Sequence, residues 1–417
     1  MPRLSRVRGH GVLTGLVLAA SAAGAAQQLQ TTPPAPPPVA WVDVKPIAPP
    51  RTPLPPEGAS AQITRFSFLA YGDTRTGSAT ATAPDDAQAP NVEHSRVMDA
   101  MLTKVKELSA TPAPVRFVLQ SGDAVLRGVD GGRFNVGFTP IIERLTAGAN
   151  IPYFFSVGNH DTTAAATTGD PQRAVGLHNT LTAMSKLIPA EGSPRRLNGY
   201  PTYAFGYGNM FVIAIDSNIA SDPIQLSWVA NQLEGLDRSR FPHVAVFFHH
   251  PPFSSGPHSG ASAEPMPDTG RKAADRPEPQ TLSIRNLYMP LFRKHHVRLL
   301  VTGHEHLYDH FVERYEDQGK TYRMDVIVTG GGGAPIVTYY GEQDLRTYLT
   351  AGAPANVKVE HLMKPGMTPA ENPHHFVVIQ VDGDKLSLEV IGTGPTPYTP
   401  YPGGVSKLAL SDVKRSS

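Results

Sequence analysis

The sequence predicts an α/β fold, a sandwich of two mixed β-sheets flanked by helices, on three observations. Short apolar runs alternate with stretches of helical periodicity. Five of those runs end on a carboxylate, an amide or an imidazole, and the last third of the chain adds runs around tight turns that suit antiparallel strands.

Taken in order, residues 1–26 place Arg3, Arg6 and Arg8 before an apolar stretch from Gly11 to Ala20 and a small-residue run through Ala26. That is the order of a secretory signal peptide, with cleavage expected after Ala23-Gly24-Ala25. The apolar stretch is shorter than the ~20 residues of a membrane span, so no stable span is expected after cleavage. The expectation is an exported protein, periplasmic or secreted. The chain has no cysteine, so export brings no disulfide framework. The formal charge is +1 and becomes −2 without the three arginines, which argues against a nucleic acid partner.

Prolines dominate from Thr31 to Ser60, so residues 27–61 read as an extended, semi-rigid tether in which Trp41 is exposed or docked. A folded domain is expected over 62–392. Arg65 to Tyr71 reads as a strand, and Val92 to Leu108 as a helix, with Met98, Met101, Leu102, Val105 and Leu108 at helical spacing. Val115 to Gln120 and Tyr153 to Val157 repeat the strand reading, with a helical stretch from Val136 to Ala147 between them.

Tyr207-Gly208-Asn209 supplies the turn of a hairpin from Tyr203 to Asp216. Helices from Pro223 to Leu236 and from Ile284 to His295 lead into strands Val244 to Phe248 and Val297 to Val301. Trp228 reads as core. Tyr322 to Val328 and Phe376 to Val390 read as antiparallel strands completing a second sheet. Ser254 to Glu278 reads as a long surface loop, Tyr339 to Pro373 as irregular, and 393–417 as a weakly ordered tail.

The five polar endings are Gly72-Asp73, Gly122-Asp123, Gly158-Asn159-His160-Asp161, His249-His250-Pro251-Pro252 and Gly303-His304-Glu305-His306. Ligands gather beyond the carboxyl ends of strands in open α/β sheets, so the endings are expected to converge. Oxygen and imidazole donors together suit zinc, manganese or iron. Two such ions about 3.5 to 4 Å apart can clamp an in-line displacement at phosphorus.

In this order and content the motifs resemble those of the calcineurin-like metallophosphoesterase family, which includes purple acid phosphatases, over roughly Ile63 to Gly392. The resemblance implies a metallo-dependent phosphatase-type sandwich holding two divalent or trivalent ions (Fe, Zn or Mn). It also implies that Asp123 bridges them, that Asp73 and His306 bind the first, and that Asn159, His249 and His304 bind the second. His160 would assist as proton donor or phosphoryl anchor with Asp161 orienting its ring. Arg75 is read as a substrate contact whose fork holds a phosphate oxygen, against a salt bridge or surface residue, and His250 as a substrate contact, weighed equally against a residue that braces the site or its loop.

Two positions depart from the pattern. Asp73-Thr74-Arg75 stands where the family commonly has Asp-x-His, and Leu126 stands where purple acid phosphatases place an iron-binding tyrosine. His94 is a candidate replacement ligand, against the simpler reading of a packed helix histidine. His258 is weighed equally as a substrate contact and a loop residue. Asp216 and Tyr308 read as structural, and Gly330 to Gly333 as a tight turn beside the site.

The expected function is an exported metal-dependent phosphoesterase that hydrolyses small phosphorylated substrates by attack of a metal-bound hydroxide. The alternatives are a phosphodiesterase acting on nucleotide or lipid-derived diesters and a noncatalytic exported protein that binds metal or phosphate.

Overall fold

In the computed structural model, residues 43–75, 91–162, 171–259 and 277–410 are described. The signal-peptide reading, Trp41 and most of the Ser254 to Glu278 loop fall outside those residues. Thirteen strands follow one another among them: β1 (Arg65–Tyr71), β2 (Val115–Gln120), β3 (Tyr153–Phe155), β4 (Tyr203–Tyr207), β5 (Met210–Ala214), β6 (His243–Phe247) and β7 (Leu299–Thr302), then β8 (Tyr308–Asp317), β9 (Lys320–Thr329), β10 (Val357–Met363), β11 (His375–Asp382), β12 (Lys385–Gly392) and β13 (Lys407–Ala409). They form a six-stranded sheet ordered β13-β12-β11-β1-β2-β3 and a seven-stranded sheet ordered β10-β8-β9-β7-β6-β5-β4.

Parallel pairing runs through β1-β2-β3 and through β5-β6-β7-β9. Helices provide the crossovers. Val92–Ser109 joins β1 to β2, and its N-cap Asn91 accepts from the Glu93 and His94 amides. Helical turns over 131–148 join β2 to β3, helix Pro223–Glu234 joins β5 to β6, and turns over 279–294 join β6 to β7. No helix among the described residues is long and apolar enough to cross a membrane.

Strands β5 and β6 show why the sequence looked continuously apolar there. Met210, Val212, Ala214, Ala245 and Phe247 face the core between the sheets, while Phe211, Ile213, Val244, Val246 and Phe248 face a second core. Both faces of these strands are buried, so both residue parities must be apolar. Trp228 packs at the margin of the second core, as the sequence suggested.

Four readings are corrected. Strands β11 and β12 complete the first sheet, because β11 pairs antiparallel with β1 from Arg65↔Asp382 to Ala70↔Val377. Strand β9 pairs antiparallel with β8 and parallel with β7, and the irregular stretch after Tyr339 contains β10, which pairs with β8. Beyond Gly392 the described residues, to Leu410, are attached to the domain: β13 pairs with β12, and buried Tyr401 meets the Tyr308 hydroxyl at 2.6 Å. Each correction concerns which edge a strand joins, a choice made by distant partners that local periodicity does not carry.

From residue 43 the proline-rich stretch lies against the domain, extended except for the helical turn Glu57–Ser60. Ile47 is buried and its amide donates to the Ala183 carbonyl at 2.9 Å. Arg195 donates to both Glu57 carboxylate oxygens, at 2.8 and 2.9 Å. Prolines preset an extended backbone, and the residues between them supply the donors and side chains that dock it.

Candidate metal centre

Asp73, Asp123, Asn159, His249 and His304 all lie just past the C-terminal ends of parallel strands, after β1, β2, β3, β6 and β7 respectively. Asp73, Asp123 and His304 have φ of 59°, 55° and 72°. A non-glycine residue in this left-handed region costs about 1–3 kcal/mol and persists where its surroundings over-determine it. Here the surroundings do so: the Asp73 amide donates to the Gly122 carbonyl at 3.0 Å, and the His304 amide to Asp73 Oδ2 at 2.9 Å. The glycines that open the motifs have a steric reason. A Cβ on Gly158 would overlap Asp123 Oδ1, and one on Gly303 would overlap Asp73 Oδ2.

One set of atoms closes on a point. His249 Nε2 lies 2.8 Å from Asn159 Oδ1, and His304 Nδ1 lies 3.2 Å from both. Asp123 Oδ1 is 3.3 Å from His249 Nε2. His249 Nδ1–H donates to the Ser121 carbonyl at 3.0 Å, which leaves Nε2 as a lone pair. His304 Nε2 stands 2.9 Å from Glu278 Oε2, an ion-pair contact without hydrogen-bond geometry among the described residues; a proton on that side would leave Nδ1 as a lone pair.

Double protonation of His249 would relieve the crowding, but burial pushes the ring down to about 3 against the opposing pull of Asp123. Two imidazole nitrogens and an amide oxygen thus face one another beside a carboxylate. That arrangement suits a cation, and the residues fit a divalent ion.

The other set is different. His306 Nδ1–H donates to the Pro335 carbonyl at 2.7 Å, leaving Nε2 to face Asp73 Oδ1 at 3.6 Å. Asp73 Oδ1 is buried without a hydrogen bond among the described residues, as expected of an atom awaiting a cation. Yet Arg75 lies across the position. Its Nε donates to Asp123 Oδ2 and its Nη2 to His306 Nε2, each at 3.3 Å, with the side chain 11% exposed. The compact groups of potential ligand atoms, each within 4.8 Å, are Asp73, Asp123 and His249, and His250, Glu278 and His304; His306 belongs to neither.

Burial would raise Asp123, but His249, His160 and Arg75 hold its carboxyl far below the usual carboxylate range. Asp73 is pushed well above that range by burial and by the Asp123 charge. One carboxylate is compensated and the other is not.

His160 flanks the centre. Its amide donates to Asp123 Oδ1 at 3.0 Å, its Nδ1–H to the Leu126 carbonyl at 2.8 Å, and its Nε2 lies 3.9 Å from Asp123 Oδ2. The expectation that Asp161 orients this ring is corrected: Asp161 is buried and accepts from the Val125 amide at 3.2 Å and the Gly158 amide at 2.8 Å. It braces the loops, and the Leu126 carbonyl orients the ring.

His250 is also corrected as a substrate contact. It is 1% exposed, its Nδ1 is 2.8 Å from the Ser217 hydroxyl, and its ring centroid lies 4.5 Å from that of His304. His94 does not join the first set. Its Nε2 meets the Tyr71 hydroxyl at 3.0 Å, its ring stacks on Phe138, and burial drives it down to about 3.

The sequence reading missed two carboxylates. Glu278 immediately precedes Pro279 at a helix start, and no spacing relates it to His304. Glu305 lies inside a motif already singled out; its Oε1 accepts from the Ser254 hydroxyl and the His258 amide at 2.8 Å, and the His258 ring centroid lies 4.3 Å from that of His304.

The sandwich and its oxygen-and-imidazole cluster define a metallophosphatase-type α/β protein. The calcineurin-like phosphoesterase family model matches residues 68–308, more than half of the chain, and the chain belongs to that family. It is 26% identical over 187 residues to the probable purple acid phosphatase 20 of Arabidopsis thaliana, covering 44% of this chain and 38% of that protein. The solved purple acid phosphatase from yellow lupin (Lupinus luteus) seeds has a TM-score of 0.51 at 16% identity, covering 81% of this chain and 53% of that one. This chain therefore shares the fold with that enzyme while spanning about half of its length.

Proposed function

We propose that this protein is an exported phosphoesterase that hydrolyses small phosphate esters with a metal ion held by Asp123, Asn159, His249 and His304. The observation that carries the reading is the convergence of two imidazole nitrogens, an amide oxygen and a carboxylate on one point, with His160 beside it. A divalent ion there supplies Lewis acidity towards a phosphoryl oxygen and activates water.

The rest falls to the chain. Asp123 is held as a carboxylate in the buried site by the Arg75 guanidinium at 3.3 Å and the His160 amide at 3.0 Å. Glu278, facing His304 Nε2, favours the tautomer that presents Nδ1. With Nδ1–H committed to Leu126, His160 has Nε2 left to hold a proton for the leaving group. Burial lowers His160 despite Asp123, so proton donation belongs on the acid side of neutrality. Export rests on the composition of residues 1–26.

The test is metal analysis of the purified protein together with phosphate release from a panel of monoesters and diesters. Bound metal with hydrolysis of a monoester is the expected result. Bound metal with an inert panel and tight phosphate binding would replace the reading with the noncatalytic one.

A further inference from the structure

We propose that the Arg75 guanidinium is the resident cation of the first position, so that the centre works with one metal ion and one arginine. The inference rests on the phosphoesterase reading and deepens it. Two of the three atoms that would hold a first ion, Asp123 Oδ2 and His306 Nε2, each accept from Arg75 at 3.3 Å. His306 has no other way to present a lone pair, because its Nδ1–H is committed to the Pro335 carbonyl.

An ion bonded to both atoms at ordinary coordination distance would press against two guanidinium nitrogens and face a fixed like charge. The guanidinium does not yield by losing a proton. Asp73 Oδ1, the remaining acceptor, groups compactly with Asp123 and His249 on the side of the second position, and His306 lies outside that group.

Arg75 is also held there from behind. The Asn91 side chain donates to the Thr74 carbonyl at 2.9 Å and the Arg75 carbonyl at 3.1 Å, and the Arg75 amide donates to the Asp123 carbonyl at 3.2 Å. Asn91 is itself the N-cap of helix Val92–Ser109, so the backbone of residue 75 is tied to a rigid element. The charge that a first ion would bring to Asp123 is thus supplied by a side chain. Its fork geometry matches an oxyanion as well as a carboxylate.

The test is stoichiometry. The full chain, stripped by chelation, is titrated calorimetrically with Zn²⁺ and separately with Mn²⁺, and metal content is measured after desalting. The wild type is expected to take up one ion per chain, His249→Ala none, and Arg75→His two. Thermal unfolding checks that each variant is folded, and Arg75→Gln, a neutral side chain of smaller reach, serves where Arg75→His does not fold.

Two ions of comparable affinity in the wild type would overturn the proposal whatever the variants do. So would a single ion in folded Arg75→His and Arg75→Gln. Failure of the phosphoesterase reading looks different: a metal-loaded wild type that releases no phosphate, irrespective of the ion count.

Discussion

The two halves of the centre use the same residue types and reach opposite electrostatic solutions. Around Asn159, His249 and His304, the His249 ring proton goes to the Ser121 carbonyl and Glu278 faces His304 Nε2, so the remaining ring nitrogens face inward with no protein cation among them. Around Asp73 and His306 a guanidinium already stands against the inward-facing atoms. The comparison teaches that a ligand set is defined by what its atoms are already bonded to as much as by residue type. A histidine whose lone pair is answered by an arginine is not equivalent to one whose lone pair is unanswered.

The largest expected effect separates the halves directly. His249→Ala should lose bound metal and reduce phosphate release to background, whereas His306→Ala should retain the ion and lower the rate without abolishing it. Metal content after dialysis checks this, and equal loss in both variants would erase the distinction.

Next in size, His160→Ala should leave metal content unchanged and cut kcat by about 10²- to 10⁴-fold on esters with alkoxide leaving groups. Aryl esters with good leaving groups should lose much less, and a uniform loss would deny His160 its proton-donor role. Glu278→Gln keeps the shape but weakens the hold on the His304 tautomer. It should reduce metal affinity about 10- to 100-fold, measured by competition with a chelating dye, because partners of ligand imidazoles carry effects of that size.

The smallest effect concerns His94. His94→Gln should leave metal content unchanged, since the ring is bonded to Tyr71 and stacked on Phe138. It should also soften acid denaturation. Burial lowers His94 from its ordinary value of 6.5 to about 3, so below pH 6.5 the unfolded chain binds a proton that the folded chain does not. Stability drawn from the neutral buried ring is therefore present above pH 6.5 and lost as pH falls from there towards 3. Unfolding midpoints across that window test the sign, and loss of bound metal in the variant would return His94 to the ligand set.

Pairing order was the least legible part of the fold. The strands β1, β2, β5 and β6 were readable because apolar β-formers run between turn residues, and the hairpin at Gly208 because that residue takes φ of 58°. That β11 would sit beside β1, some 310 residues away, had no local signature. Nor did the docking of Glu57 onto Arg195 or the addition of β13 to the sheet edge.

By itself the sequence determined the chemistry available to the centre and the order of its parts. Glycine before Asp73, Asp123, Asn159 and His304 meets a steric demand that shows in the chain as Gly-Asp, Gly-Asn-His and Gly-His. It also displayed the departure at Arg75 as a departure. Tertiary structure alone decided what each atom faces: His250 turned to Ser217, Asp161 to two backbone amides, His94 to Tyr71, Glu278 to His304, and Arg75 to Asp123 and His306. The physical reason is that hydrogen bonds, burial and charge act over a few ångströms between residues tens to hundreds of positions apart. Residue type fixes what a side chain can bond to, and packing fixes what it does.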